Sequence, residues 1–291
     1  MLSKTSVVIP AKNEAKSLSS LIPSIQALYP DLLEIIVVND GSTDDTELVC
    51  EQFETIVVKH RHSRGNGAAI KSGTRKARGE YICFMDADGQ HKPESIGRLV
   101  EALDENKLDM VVGARKKESQ AGKLRYLANS FYNWFASAIS GFPIIDLTSG
   151  LRVVRKNRFK EFLHLLPNGF SYPTTCTMAF LRTGYQVEYK IEDISADRLG
   201  KSHISPLKDG LRFLVIIFKI GTLYSPLKVF TSISASLFSV SFAYYIFTFL
   251  TKSTLTNMSV ILFTSSLIIF LIGLVSEQIN ALMFMKSEKE D

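Results

Sequence analysis

Two acids one residue apart, Asp86 and Asp88, follow the apolar run Tyr81-Ile82-Cys83-Phe84-Met85 and precede Gly89-Gln90. Like charges that close repel, so the arrangement is expensive unless a cation binds there. Hard oxygen donors suit Mg²⁺ or Mn²⁺, which would bridge two phosphates of a nucleotide and neutralise charge building on a diphosphate. Asp88 is then the direct ligand, with Asp86 and Gln90 in support. Two further polar clusters follow apolar runs in the same way: Pro10-Ala11-Lys12-Asn13-Glu14 and Asn39-Asp40-Gly41-Ser42-Thr43-Asp44-Asp45. Each taken singly reads as turn and helix-capping chemistry. Three of them at corresponding points of the chain point to a site.

The elements between the clusters explain how they could converge. Short β-branched runs at Ser6–Ile9, Glu34–Val38, Thr55–Val58, Tyr81–Met85 and Asp109–Val112 are too short for helices. Glu14–Leu28, Thr43–Phe53, Ala68–Ala77 and Pro93–Leu103 between them carry apolar residues at three- and four-residue spacing. Alternating strands and helices predict an α/β fold with right-handed crossovers and a mostly parallel sheet. Ligands of such sheets bind beyond the carboxyl ends of the strands, where the three clusters fall.

Other chemistries find little support. Cys50, Cys83 and Cys176 lie far apart with no C-x-x-C, so neither a disulfide framework nor a zinc site is expected. His60 and His62 alternate near a strand end but lack a third ligand, and read as solvated loop histidines; His91 is close enough to the acid pair to support it. No local signal assembles a Ser-His-Asp triad. Gly65-Asn66-Gly67 falls short of a dinucleotide fingerprint, and no phosphate-loop motif occurs. The net charge of +5 is spread without a long Lys or Arg run, so nucleic acid is not expected as a partner.

Pro10-Ala11-Lys12-Asn13-Glu14, Asn39-Asp40-Gly41-Ser42, Asn66-Gly67-Ala68-Ala69, Asp86-Ala87-Asp88-Gly89-Gln90, Asp146 with Ser149-Gly150-Leu151-Arg152, and Arg198-Leu199-Gly200-Lys201-Ser202 together resemble family 2 glycosyltransferases of the GT-A fold. More narrowly, they look like the dolichyl or polyprenyl phosphate sugar transferases, over about residues 5 to 210. The resemblance implies a nucleotide-sugar donor, a divalent metal and inversion at the anomeric carbon. It implies that Pro10, Ala11, Asn13, Glu14 and Gly67 belong to the nucleotide pocket and that Asp40 accepts a hydrogen bond from the base. It further implies that Asp86, Asp88 and Gln90 hold metal and diphosphate, that Arg115 faces phosphate or sugar, and that the loop from Arg198 to Ser202, with Lys201, closes over the site. One departure stands out: Phe170–Met178 contains no acid, where related enzymes often carry one. An attacking hydroxyl needs a general base, whereas a phosphate acceptor is already ionised and needs only positioning. The missing acid is compatible with a lipid phosphate acceptor.

Charge distribution divides the chain. Of its 63 Lys, Arg, Asp and Glu residues, only ten lie in 211–291, and 213–285 holds four. Val229–Leu250 and about Val260–Phe284 are each long enough to cross about 30 Å of hydrocarbon. Before them, Leu211–Tyr224 reads as an interfacial helix. The expected organisation is a cytosolic catalytic domain at 1–203, an interfacial segment at 204–226, two spans at 227–285 and a cytosolic tail at 286–291. Lys208, Arg212, Lys219, Lys228, Lys286 and Lys289 flank the spans on one side and Lys252 alone on the other, which puts both termini in the cytoplasm. No apolar stretch before Val7 is long enough for a signal peptide. A multi-pass protein of the cell membrane in contact with the lipid bilayer is expected, and Ser- and Thr-rich span faces allow a homo-oligomer. A processive polysaccharide synthase is an alternative, but its Gln-x-x-Arg-Trp motif is absent. A membrane scaffold without chemistry would have no need of the clustered charge at Asp86, Asp88 and Arg198.

Overall fold

A computed structural model describes residues 1–115, 123–169, 172–192, 218–219 and 221–285. Each expected strand forms: β1 (Thr5–Ala11), β2 (Glu34–Asn39), β3 (Ile56–Lys59), β4 (Tyr81–Phe84) and β5 (Met110–Arg115). Helices α1 (Ala15–Leu28), α2 (Thr46–Gln52), α3 (Asn66–Lys76) and α4 (Ser95–Glu105) alternate with them. Two of these helices start two or three residues later than the periodicity suggests. Thr43–Asp45 and Pro93–Glu94 stay outside because turn residues there satisfy the first amides; Asp44, for example, accepts from the Thr46 amide and hydroxyl at 3.1 and 2.5 Å.

The sheet order is β3-β2-β1-β4-β6-β5-β7. Pairs β1–β2, β1–β4, β2–β3 and β5–β7 are parallel, with Val7 opposite Ile35 and Val8 opposite Phe84. Strand β6 (Arg152–Arg155) runs antiparallel to β4 and β5, and β7 (Val187–Glu192) closes the far edge. The sheet is thus mixed, and β6 breaks the parallel pattern the sequence suggests. Helices α5 (Lys123–Ser140), α6 (Lys156–Glu161) and α7 (Tyr172–Arg182) complete this unit.

Period-two alternation divides the core between the two faces of the sheet. Val7, Ile9, Ile35 and Val37 pack with Leu18, Ile22 and Ile25 of α1 and Ile96, Leu99 and Leu103 of α4. On the other face Val8 meets α3, where a Cβ added at Gly73 would lie 2.3 Å from Val8 Cγ1. Only glycine lets that helix approach so closely. Each of these Val, Ile and Leu side chains contributes roughly 1.5–3 kcal/mol by leaving water.

The described chain divides into two compact units, Met1–Ala138 with Phe142–Pro206, and Ile139–Gly141 with Leu207–Asp291. The second contains α8 (Pro226–Lys252) and α9 (Asn257–Met285), both long and apolar enough to cross a membrane. Their large side chains point outward, as Leu250 and Leu282 do at 77% and 65% exposure. Between the two helices, serines instead turn inward. Ser234 Oγ donates to the Ser266 carbonyl at 2.8 Å and Ser241 Oγ to that of Ser259 at 3.2 Å. Apolar outside and polar within suits a hairpin in lipid. Most of the expected interfacial helix Leu211–Tyr224 lies outside the described residues.

Candidate active site

The three polar clusters meet at the carboxyl ends of β1, β2 and β4. They line a cleft of about 420 Å³ with Pro10, Ala11, Lys12 and Glu14 from the first, Asp40 from the second, and Asp86, Ala87 and Asp88 from the third. Ser63, Gly65, Asn66 and Ala69 add a wall, and Thr148, Gly150, Tyr172, Pro173 and Thr174 add another. Asn13, Gly67, Gln90 and Arg115, which the resemblance assigns to the site, are not among the lining residues.

Their positions give the reasons. Asn13, at φ 57°, stitches the first cluster to the second: its amide donates to Ser42 Oγ at 2.9 Å and its Oδ1 accepts from the Thr43 amide at 2.8 Å. Gly67 is where α3 meets the 167–169 loop. Its amide and that of Ala68 donate to the carbonyls of Gly169 and Asn168, and a Cβ there would lie 1.9 Å from the Pro167 carbonyl oxygen. That glycine serves close backbone packing. Gln90 turns its amide onto Asp88 Oδ1 at 3.2 Å.

Arg115 differs most from the expectation. Its Nε and Nη2 donate to both oxygens of Asp146 at 2.7 and 2.8 Å, and Nη2 also reaches Thr148 Oγ1 at 2.5 Å. Asp146 is buried. Burial raises its pKa, but the Arg115 hydrogen bonds and charge outweigh that and hold the carboxyl below its usual range. The guanidinium is therefore engaged by a buried carboxylate, in the bidentate geometry Arg favours, rather than facing phosphate or sugar.

Asp40 is likewise occupied. Oδ1 accepts from the Arg64 amide at 2.8 Å and from the His60 ring at 2.6 Å; Oδ2 accepts from the Gly65 amide and Ser63 Oγ, both at 2.8 Å. Four donors fill the roughly four lone-pair positions of a carboxylate. As it stands, Asp40 organises the 60–65 loop and has no acceptor left for a base. His60, expected in solvent, has a side chain only 5% exposed and links Asp40 to Ser72 Oγ at 2.9 Å. The sequence signal that could have revealed this is that Asp40 and His60 each directly follow a β-branched run, the runs being neighbouring strands with Asn39 opposite Lys59.

Burial by itself raises the Asp40 pKa, yet these donors pull it from 3.8 to about 2. The folded value lies below the unfolded one, so the group stabilises the fold above about pH 4, and that contribution, about 2 kcal/mol, disappears as pH falls through about 2. Melting of the detergent-solubilised protein between pH 5 and 2.5 is expected to fall more steeply for the wild type than for Asp40→Asn. Parallel curves would count against this network.

The acid pair sits in two different environments. Asp88 is buried, whereas the Asp86 side chain is 34% exposed. Asp86 abuts Gly150, where a Cβ would come 2.1 Å from Asp86 Oδ2, and its Oδ2 lies 3.7 Å from His91 Nε2. Gly150→Ala should therefore swing the Asp86 carboxylate away and cut activity about 10²-fold, as an ångström-scale misplacement does. Gly169→Ala, where an added methyl meets no described residue within 4 Å, is the control. Equal rates for the two variants would remove Asp86 from the site.

Among the described residues, no three His, Cys, Asp or Glu side chains form a metal site by themselves. Two carboxylates one residue apart on the cleft wall fit a hard cation that keeps waters and takes its remaining oxygens from phosphates. Arg198 and Lys201 lie outside the described residues.

The model of the family described as glycosyl transferase family 2 matches residues 6–183, more than half of the chain and all three clusters of the cleft. The chain belongs to glycosyl transferase family 2. A second model, described as the GtrB C-terminal hairpin, matches residues 225–282, which carry α8 and α9. Among curated relatives of this glycosyltransferase, a dodecaprenyl-phosphate galacturonate synthase of Rhizobium johnstonii is 31% identical over 165 residues, 54% of this chain and 49% of that protein. A UDP-N-acetylglucosamine–dolichyl-phosphate N-acetylglucosaminyltransferase of Methanococcus voltae is 28% identical over 178 residues, 53% of this chain and 70% of that one. The match thus spans about half of the first relative's length. Among solved structures, glucosyl-3-phosphoglycerate synthase from Mycobacterium tuberculosis, in complex with Mn²⁺, UDP and phosphoglyceric acid, superposes with a TM-score of 0.58 at 20% identity, covering 75% of this chain and 76% of that one. At that identity the likeness speaks for the fold. The two relatives are named as lipid-phosphate sugar transferases, and the two apolar helices, matched by the hairpin model, give this glycosyltransferase the character of a membrane protein.

Proposed function

We propose that the chain transfers one sugar from a nucleotide-sugar, UDP- or GDP-linked, to a polyprenyl or dolichyl phosphate, with inversion, at the cytoplasmic face of the cell membrane. The observation that carries this reading is one chain joining a family 2 cleft to a hairpin of the GtrB type. The names of the two relatives above, both lipid-phosphate sugar transferases, support it. The wall at Tyr172–Thr174, which holds no carboxylate, supports an acceptor that arrives already ionised.

In this reading Pro10, Ala11 and Glu14 bound the nucleoside, and the 60–65 loop held by Asp40 closes its other side. Asp86, Asp88 and Gln90 would hold Mg²⁺ or Mn²⁺, which would supply positive charge opposite a leaving diphosphate. Asp88, buried and fixed by the Gln90 amide, keeps its carboxylate in one orientation. Holding the acceptor phosphate in line with the anomeric carbon provides most of the remaining advantage. Arg198 and Lys201 would add cationic donors at the open side. The Lys and Arg residues flanking α8 and α9 support cytoplasmic termini.

The test incubates detergent-purified protein with Mg²⁺ or Mn²⁺, polyprenyl phosphate and a panel of UDP- and GDP-sugars, following lipid-linked sugar by mass spectrometry. A single glycosylated lipid phosphate from one donor is expected. Donor hydrolysis or binding without lipid product would overturn the acceptor assignment.

A further inference from the structure

Arg152 at the start of β6 is completely buried, and its partners are neutral. Nη1 donates to the Pro173 carbonyl at 2.9 Å and to Thr177 Oγ1 at 3.2 Å, and Nη2 donates to the Ser149 carbonyl at 2.5 Å. Among the described residues Nε has no partner, and the Tyr172 ring lies 5.6 Å from Cζ. Removing an ion from water costs several kcal/mol even after relaxation, and neutral acceptors offset only part of that. Among the described residues no carboxylate forms an ion pair with it; its hydrogen-bond acceptors are two carbonyls and a hydroxyl.

Its contacts indicate where compensation would come from. The Ser149 carbonyl shares a peptide unit with the Gly150 amide, and the Pro173 carbonyl shares one with the Thr174 amide. Gly150 and Thr174 both line the cleft. A donor on the carbonyl side of a peptide polarises its N–H side. Thr174 also lies in the first turn of the 11-residue α7, where amides lack intrahelical acceptors and the helix dipole is positive. A buried cation, a helix N-terminus and two polarised peptides thus converge on one rim. We propose that this rim, Gly150 with Tyr172, Pro173 and Thr174, is a phosphate subsite, and that Arg152 is the positioning residue that charges it from behind. Asp86 is the acid that abuts the rim at Gly150, and the cation assigned to Asp86 and Asp88 offsets it. The proposal rests on the sugar-transfer reading of the cleft, so its test measures binding rather than transfer.

The phosphate could belong to the lipid acceptor or to the donor diphosphate. Farnesyl phosphate, UDP and GDP are titrated calorimetrically with Mg²⁺ onto the full-length wild type, Arg152→Lys and Arg152→Met, after circular dichroism establishes that each is folded. Arg152→Met should weaken at least one phosphate ligand about tenfold or more, as a unit charge several ångströms away does at intermediate dielectric. Arg152→Lys, which keeps the charge, should stay within about threefold. Loss confined to farnesyl phosphate assigns the subsite to the acceptor, and loss confined to a nucleotide assigns it to the donor. Should Arg152→Met fail to fold, Thr177→Asp neutralises the guanidinium in place and is expected to give the same weakening. A folded Arg152→Met or Thr177→Asp that binds every ligand as the wild type does overturns the proposal, as does a wild type that binds none of them. Binding that responds to Arg152 without any lipid product would overturn the proposed function alone.

Discussion

Asp88→Ala is expected to lower sugar transfer by about 10³-fold or more while leaving the protein folded and membrane-bound. Stabilisation of a leaving diphosphate by a positioned divalent cation is worth several kcal/mol, and each 1.36 kcal/mol is tenfold in rate. Asp88 is the better buried of the two acids and accepts the Gln90 backbone amide on one oxygen, so on the proposed metal assignment its loss would remove the ligand with the least freedom to be replaced. Folding should survive because the adjoining β4 core, Ile82, Cys83 and Phe84, is untouched. Initial rates, Mn²⁺ titration followed by electron paramagnetic resonance, and thermal melts separate the effects. A folded Asp88→Ala that still transfers sugar in a metal-dependent manner would sink the metal assignment.

Arg115→Ala is expected to act mainly on stability. It leaves the Asp146 carboxylate buried without its bidentate partner, which costs about 3 kcal/mol, the lower end for a broken buried pair because the Arg115 side chain is 27% exposed. For a unit near 200 residues, that corresponds to a fall in Tm of roughly 6–12 °C. Replacing the pair together, Arg115→Met with Asp146→Leu, should recover much of the loss, since no lone charge then remains. If Arg115→Ala instead kept the wild-type Tm but lost transfer, the role facing phosphate or sugar would be restored.

The difference between these two residues illustrates what a linear reading can reach. Asp88 follows the apolar strand β4 and Arg115 ends the apolar strand β5, the one charged to suit a cation and the other a phosphate. Nothing local to Arg115 reveals Asp146, 31 residues later, or that their side chains meet at 2.7 Å. Asp40 and His60 tell the same story. The acid is legible as a residue after a strand, yet its four donors come from a loop 20 to 25 residues downstream.

By itself, the sequence determined the alternation of strands and helices through β2, α3 and β5, the convergence of the three polar clusters, and the two apolar spans. These depend on periodicity and on where turns fall, which are properties of neighbouring residues. Only the tertiary structure decided that β6 enters antiparallel between β4 and β5, because pairing over a separation of some 70 residues leaves no periodic trace. The same holds for the second wall of the cleft. Gly150 lies in a stretch that carries the family resemblance, and Tyr172 and Thr174 in the stretch that lacks an acid, but no local pattern sets either beside the acid pair; they reach it only because β6 and α7 pack against β4 around a buried Arg152.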